Sequence, residues 1–336
     1  MKTQCNIPQT MKAIFQEEAG GPLVVREVPV PLPKAGEVLI KMEATPINPS
    51  DLSFLQGTYA VKANFPVTPG IEGSGTVVHV GKGLLAKMRM GKRVTCSSTP
   101  ENGGTWAEYM TTSAMRCIPI QNNIEFDRAA MLIVNPLTAL SFIDITKEEK
   151  HKAIVNNAAA SALGQMLVRL AKNEGIPLIN IVRKAEQEEV LKKIGAKHIL
   201  NSEDSDFILK LKDLMQELNA TLIFDAVGGE QTGILLEAAP NGSKLVSYAK
   251  LSEQNACFDS RIIVQQDKSI HGFFLGNHTS KQPILKKLKN TKKVQKLLNE
   301  SLHTKIQQIF TLEEANQAVE TYRKNMTKGK VLFKMN

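Results

Sequence analysis

The stretch from Lys152 to Lys184, KAIVNNAAASALGQMLVRLAKNEGIPLINIVRK, constrains the fold of this chain more than any other. An apolar run, Ala153 to Val155, meets a patch of small residues. Apolar residues at helical spacing follow at Met166, Leu167 and Leu170, and a second apolar run spans Leu178 to Val182. That order predicts a strand, a tight turn, a helix starting near Ser161 and a second strand. Such a unit sets a helix N-terminus just beyond a strand end, where main-chain amides and the helix dipole favour an anion. The glycine-rich form of this turn would have glycine at Ala159, Ser161 and Gly164, and only Gly164 keeps it. Ala and Ser still let a pyrophosphate approach the backbone closely. The second strand ends in Arg183 and Lys184. An acid there would bond the ribose hydroxyls of NAD, whereas a base suits the extra phosphate of NADP. The local reading is an NADPH site, and the alternative is an ordinary βαβ unit with two exposed bases.

The 336 residues allow two domains. A composition 42% hydrophobic and 22% charged is that of a globular protein. Aromatic residues make up only 5%, which argues against a stacking platform for single-stranded nucleic acid. No apolar run reaches membrane-spanning length, and MKTQCNIPQT lacks the apolar centre of a secretory signal. These ten residues read as a tail before a start near Met11. A cytoplasmic location is expected, with an organellar one as the alternative. Cys5, Cys96, Cys117 and Cys257 are widely spaced and read as free thiols in a reducing compartment. The net charge of +9 is concentrated in seven lysines between Lys281 and Lys296. Ile284, Leu288, Val294 and Leu298 recur there at near-helical spacing, which predicts an amphipathic helix with a lysine-rich outer face. That face is either simply solvated or a landing site for something acidic, such as coenzyme A or an acidic carrier protein.

From Met11 to Cys117 short β patterns alternate with Gly and Pro: Met11–Phe15, Leu23–Val28, Glu37–Glu43, Gly75–Val80, Arg93–Cys96 and Ala107–Thr112. They predict a barrel-like domain. Helical spacing over Arg128 to Ile145 opens a βα alternation that continues to strands at Val246–Tyr248 and Ser269–Leu275. It predicts a doubly wound parallel sheet with helices on both faces. The last segment, ending in the strand-like KGKVLFKMN, is expected to rejoin the first domain.

Further blocks carry a resemblance. They are INPSD from Ile47, QGTY from Gln56, PGIEGSGTV from Pro69, GKRV from Gly91 and GTWAEY from Gly104. VNPLTAL from Val134, DAVGG from Asp225 and HGFFLG from His271 follow. In this order the chain resembles the medium-chain dehydrogenase/reductase superfamily, in the zinc-free branch of 2-enoyl thioester reductases and NADPH:quinone oxidoreductases. The resemblance implies an α/β protein: a GroES-like β-rich catalytic domain over 11–130, completed by 277–336, and a Rossmann cofactor domain over 131–276. Zinc relatives carry Cys where this chain has Asn48, and a GHE motif where it has Gly70-Ile71-Glu72. Zinc needs Cys, His or carboxylate ligands, so no metal is expected. Tyr59 matches the proton donor of the enoyl thioester reductases. Asn135, with Thr138 in the same block, Ala160, Ser161, Ala162, Leu163 and Gly164 match cofactor-binding positions. So do Arg183, Lys184, Tyr248, Lys250, Phe273, Phe274, Leu275 and Lys330. Two departures are the missing glycine at Ala162 and Ala185 in place of a second arginine. The family also implies a homodimer, with an edge strand within Ile262 to Leu275.

The expected chemistry is hydride transfer from NADPH to the β carbon of an enoyl thioester. A phenol holds its proton at neutral pH and can still give it to a strongly basic enolate. Tyr59 is therefore the expected catalytic acid. A quinone acceptor needs no positioned acid, so NADPH:quinone reduction is the alternative. A dinucleotide-binding protein of little turnover is a third reading. Glu72 is expected to hold local structure, and Trp106, Cys96 and Cys117 to pack.

Overall fold

Short strands with branched apolar residues and Gly or Pro breaks build the first part of the protein. In the computed structural model, which describes residues 7–61, 64–98 and 103–335, the chain forms two compact units. Cys5 and most of the N-terminal tail lie outside the described residues. The first unit runs to Val134 and takes up the chain again from Thr304. Its hairpin is β1 (Thr10–Gln16) and β2 (Leu23–Pro29), paired antiparallel. Its main sheet contains β3 (Glu37–Pro46), β4 (Glu72–Val80), β5 (Arg93–Ser97), β6 (Tyr109–Ser113) and β7 (Cys117–Pro119). The ten-residue β3 is the hub. One edge pairs with β4, and the other is shared between β6 along its first half and the last strand of the chain along its end. The core between these strands and the helix Ala315–Lys324 includes Ile40, Met42, Trp106, Val331 and Phe333, all fully buried. Trp106 meets Phe333 edge to face at 5.0 Å, so it packs as expected. Cys96 and Cys117 fall opposite each other on β5 and β7, both buried.

The second unit, Asn135 to His303, is a six-stranded parallel sheet. Its strands are β8 (Ala153–Asn156), β9 (Leu178–Val182), β10 (His198–Asn201), β11 (Ala220–Asp225), β12 (Lys244–Ser247) and β13 (Ser269–Gly272). β8 and β9 are apolar but for Asn156 and Asn180, as suits strands covered on both faces, and every residue of both is buried. The spatial order β10-β9-β8-β11-β12-β13 reverses direction between β8 and β11. A doubly wound sheet binds its ligand at that switch point. Behind it lies an aromatic cluster. Phe142 stacks on Phe224 at 3.9 Å and meets Tyr248 and Phe273 edge to face. The chain then adds β14 (Ile306–Phe310) and β15 (Lys330–Lys334) to the sheet of the first unit, β15 against β3, so the expected return occurs.

Four expectations change in detail. The return falls at Thr304 rather than 277, because the helix Ile284–Leu297 is tied to the second unit through Lys286 to Asp144 and Glu148, and Lys293 to Glu174. Only the C-terminal half of that helix buries its apolar side: Val294 and Leu298 are covered, while Ile284 and Leu288 are 66% and 57% exposed. The helical spacing from Arg128 is split into Phe126–Ala129 and Val134–Glu148. Pro136 accounts for the second start, since proline is tolerated only in a helix's first turn. Within Ile262 to Leu275 only β13 is strand, and Ser260–Gln265 is helix.

Replacing Phe224 by Ala removes the stacked ring beneath the switch point. A loss of about 3–5 kcal/mol in urea unfolding of the second unit is expected. A loss under about 1 kcal/mol would show that the cluster supports little.

Candidate functional site

Each unit carries one constellation. In the second, the turn after β8 is held by backbone. Ser161 N donates to Ala158 O, and the Ser161 hydroxyl accepts from Gly164 N at 3.1 Å, capping the helix Ala162–Asn173. Gly164 has to be glycine here, since a Cβ would lie 2.2 Å from the Ala159 carbonyl oxygen. The helix thereby starts as close to β8 as backbone allows. Among the described residues the amides of Ala160, Ala162 and Leu163 donate to no protein group. Three free amides at the positive end of a twelve-residue helix fit a pyrophosphate. The absent glycine at Ala162 does not close the turn.

Most of the other expected cofactor residues of this unit follow strand ends. Arg183 and Lys184 follow β9, are exposed, and pair with no acid among the described residues. Tyr248 follows β12, half-buried, its hydroxyl donating to Asn156 Oδ1 at 3.3 Å. Burial first, then the Asp225 charge, push its phenol well above the usual range. Lys250 is exposed and donates to Asn255 Oδ1. Phe273, Phe274 and Leu275 follow β13, all half-buried. Asn135 and Thr138 lie one turn apart on the helix Val134–Glu148. What the sequence reading missed is the scaffold of these loops. Asn157 Nδ2 donates to Asp225 Oδ1 at 2.6 Å and to Gln231, and its Oδ1 accepts from Ala226 N. Asp225 also accepts from Val227 N, Gly228 N and the Thr232 hydroxyl. One buried carboxylate thus ties the ends of β8 and β11 together. The signal was there: polar Asn156 and Asn157 directly after the apolar run Ala153 to Val155.

The first unit holds a buried cluster of charge. Asn48 precedes the helix Pro49–Leu55, and its N–H donates to Asp51 Oδ2 at 2.7 Å. Its side-chain amide donates to Glu72 Oε1 at 3.1 Å and its carbonyl oxygen accepts from Lys330 Nζ. Lys330 Nζ also donates to the Ile47 carbonyl and lies 5.6 Å from the Tyr322 ring centroid. Glu72 Oε2 accepts from Ile133 N and Val134 N at 3.0 and 2.9 Å, so it holds local structure, as expected. Asp51 Oδ1 is buried without a hydrogen-bond partner among the described residues. Burial raises the carboxyls of Asp51 and Glu72 above their usual range and lowers the Lys330 ammonium. Their mutual attraction opposes both effects. Lys330, matched by sequence to a cofactor contact, has its ammonium in this cluster.

Tyr59 sits beyond the same helix, after Gly57, whose φ of +70° is the left-handed turn that glycine enters freely. Burial, with the Asp51 charge second, pushes its phenol up to about 12. The hydroxyl is therefore protonated throughout the neutral range. As a metal site the cluster fits poorly. Asn48 is a neutral amide, and the Lys330 ammonium, hydrogen-bonded to Asn48 and the Ile47 carbonyl, already supplies a positive charge to the two carboxyls. Among the described residues no three His, Cys, Asp or Glu side chains could hold a metal ion.

Comparison with known proteins matches both units. Residues 34–122 fit the alcohol dehydrogenase GroES-like domain, and residues 162–290 fit the zinc-binding dehydrogenase family. The mitochondrial enoyl-acyl-carrier-protein reductase of Arabidopsis thaliana is 33% identical over 79% of this chain and 72% of its own length. That of Caenorhabditis elegans is 32% identical over 79% of the chain and 78% of its own. Among solved structures, a candidate NADPH:quinone reductase from Mesorhizobium loti superposes with a TM-score of 0.91 at 32% identity, covering 98% of this chain and all of that one. The resident metal implied by the second family's description does not suit the residues at Asn48 and Lys330.

Lys330→Met leaves two carboxyls buried without a cation. A destabilisation of about 3–5 kcal/mol is expected, growing with pH. Without the ammonium the folded-state pKa values rise further above the unfolded ones, so the folded protein binds more protons and stability falls as pH rises. Urea melts at pH 5.5 and 8.5 check this, and an equal loss at both would contradict it.

Proposed function

We propose that this chain, which belongs to the medium-chain dehydrogenase/reductase superfamily and is an oxidoreductase of its enoyl reductase and quinone reductase branch, reduces the double bond of a 2-enoyl thioester with NADPH. The observation that carries this reading is the Tyr59 phenol, held protonated by burial and by Asp51. Quinone reduction has no use for a positioned acid, and an enoyl thioester does.

NADPH, when bound, supplies a hydride to the β carbon. The amides of Ala160, Ala162 and Leu163 would hold its pyrophosphate, and Arg183 and Lys184 the adenosine phosphate. Asn135, Thr138, Tyr248, Lys250 and Phe273 to Leu275 would line the remainder. The negative charge that reaches the thioester oxygen calls for hydrogen-bond donors. Tyr59 gives its proton to the α carbon, so one hydride and one proton saturate the bond. No metal takes part, since the Lys330 ammonium already compensates the carboxylates at Asn48. The second reading, quinone reduction, is favoured by the likeness to the Mesorhizobium loti structure.

Two copies would join through β13, an edge strand with Ile270, His271 and Gly272 exposed. Exposed edges tend to pair. No helix of the described residues is long and apolar enough to cross a membrane. The cytoplasm is the proposed location, and the mitochondrial relatives make an organelle the competing one.

An acceptor panel with NADPH and NADH side by side tests this. Tyr59→Phe should lower kcat on an enoyl-CoA by about 100-fold and leave quinone turnover intact. Unchanged enoyl turnover would remove Tyr59 from the reaction, and turnover of quinones alone would establish the second reading. Because the phenol titrates near 12, enoyl reduction should show no alkaline loss from Tyr59 below about pH 10. A limb near pH 8 that disappears in Tyr59→Phe would contradict the assignment. Arg183→Glu with Lys184→Glu should weaken NADPH binding by about tenfold or more without a comparable effect on NADH. Equal use of both coenzymes by the unchanged protein would overturn the phosphate assignment.

A further inference from the structure

We infer that the outward face of the helix Ile284–Leu297 docks an acidic helix of the protein carrier that delivers the thioester, an inference resting on the enoyl thioester reading. At 100° per residue, Ile284, Leu285, Leu288, Lys289, Lys292 and Lys296 fall within an arc of roughly 140°, and all six are exposed. Ile284, Leu285 and Leu288 are 66%, 78% and 57% exposed, an apolar spot confined to the first turn and a half. The rest of the face, over roughly 11 Å of helix, is lysine, and Lys281 lies just ahead of the helix. The helix contains no acid. Its inward lysines are neutralised, Lys286 by Asp144 and Glu148, and Lys293 by Glu174. Lys281, Lys289, Lys292 and Lys296 meet no carboxylate among the described residues. The buried contacts are made by Val294 and Leu298, outside this arc.

The charge distribution selects the occupant. A second copy of this chain would set lysines against lysines. An anionic bilayer asks for an apolar stripe along the whole helix, with cations flanking it. Here the apolar and cationic parts follow one another along the axis, and the second half would present only ammonium groups to the lipid. Coenzyme A carries the charge but has no surface to cover three apolar side chains across a turn of helix. A protein helix with Leu, Ile or Met at one end and Asp or Glu along its remaining turns matches both parts at once. A reductase of thioesters meets that chemistry on the carrier that bears the acyl chain. The lysines would steer the encounter, and Leu285 and Leu288 would seat it.

The probe is fluorescein-labelled holo acyl carrier protein, titrated with the full-length protein and followed by anisotropy at 50 and 300 mM salt. Binding that weakens with salt is expected. Lys289→Glu, Lys292→Glu and Lys296→Glu together should weaken it by about tenfold or more, and Leu285→Ser with Leu288→Ser should weaken it at both salt concentrations. These variants should raise KM for an enoyl chain on the carrier while leaving kinetics with the same chain on coenzyme A unchanged. Absence of binding, binding unaffected by the variants, or equal loss with both thioesters overturns the docking face. Capture by anionic phosphatidylglycerol vesicles but not by the carrier overturns it in favour of lipid. Turnover of enoyl-CoA without carrier binding sinks the docking face alone. Variant-sensitive carrier binding without turnover of either thioester sinks the reductase reading and leaves the face standing.

Discussion

The sheet of the first unit is organised around an ammonium group with no access to water. Lys330 begins β15, Asn48 follows β3, and Glu72 begins β4, so their contacts join three neighbouring strands at one point. A single amide residue makes this possible. Asn48 donates once from its backbone to Asp51, donates once from its side chain to Glu72, and accepts from Lys330. Burying three ionisable groups is expensive unless each is paired and hydrogen-bonded. Asp51 is the incompletely satisfied member, with one oxygen left over. Burial, with the Asp51 charge second, holds the Tyr59 phenol up. The acid chemistry assigned to Tyr59 therefore draws on the same cluster that fixes the strand ends.

The second unit stabilises charge in the opposite way. Its scaffold network holds one carboxylate, Asp225, satisfied by two backbone amides, an asparagine and a threonine. Its ligand-facing turn holds no charged side chain, only amides left free by the start of a helix. An anion that arrives there needs no side chain to reorganise. The two bases after β9, to which the adenosine phosphate is assigned in the proposed function, stay in water, where their charge costs the fold little.

Much of this was legible in sequence. The βα alternation gave the parallel sheet because strands buried on both faces cannot hide their apolar runs, and Leu178 to Val182 is such a run, interrupted by Asn180 alone. The turn before Gly164 was legible because close backbone approach excludes large side chains. The cluster at Lys330 was not, since its members are separated by up to 282 residues and only the pairing of β15 with β3 brings them together. Asn157 and Asp225 were hidden for the same reason. On the lysine-rich helix, periodicity found the axis and missed the burial. Ile284 and Leu288 have the spacing of core residues but are exposed, while Lys286 between them pairs with Asp144 and Glu148 of the unit.

The pairing of β5 with β7 has its own bearing on an enzyme that handles conjugated electrophiles. Cys96 and Cys117 stand side by side in the interior, the first thiol held far above its ordinary range by burial and the second pushed up to about 12. Alkylation proceeds through the thiolate, a form these two scarcely populate. A reactive alkene that escapes reduction leaves them unmodified, and among the described cysteines the exposed Cys257, in the other unit, is the one open to a Michael adduct.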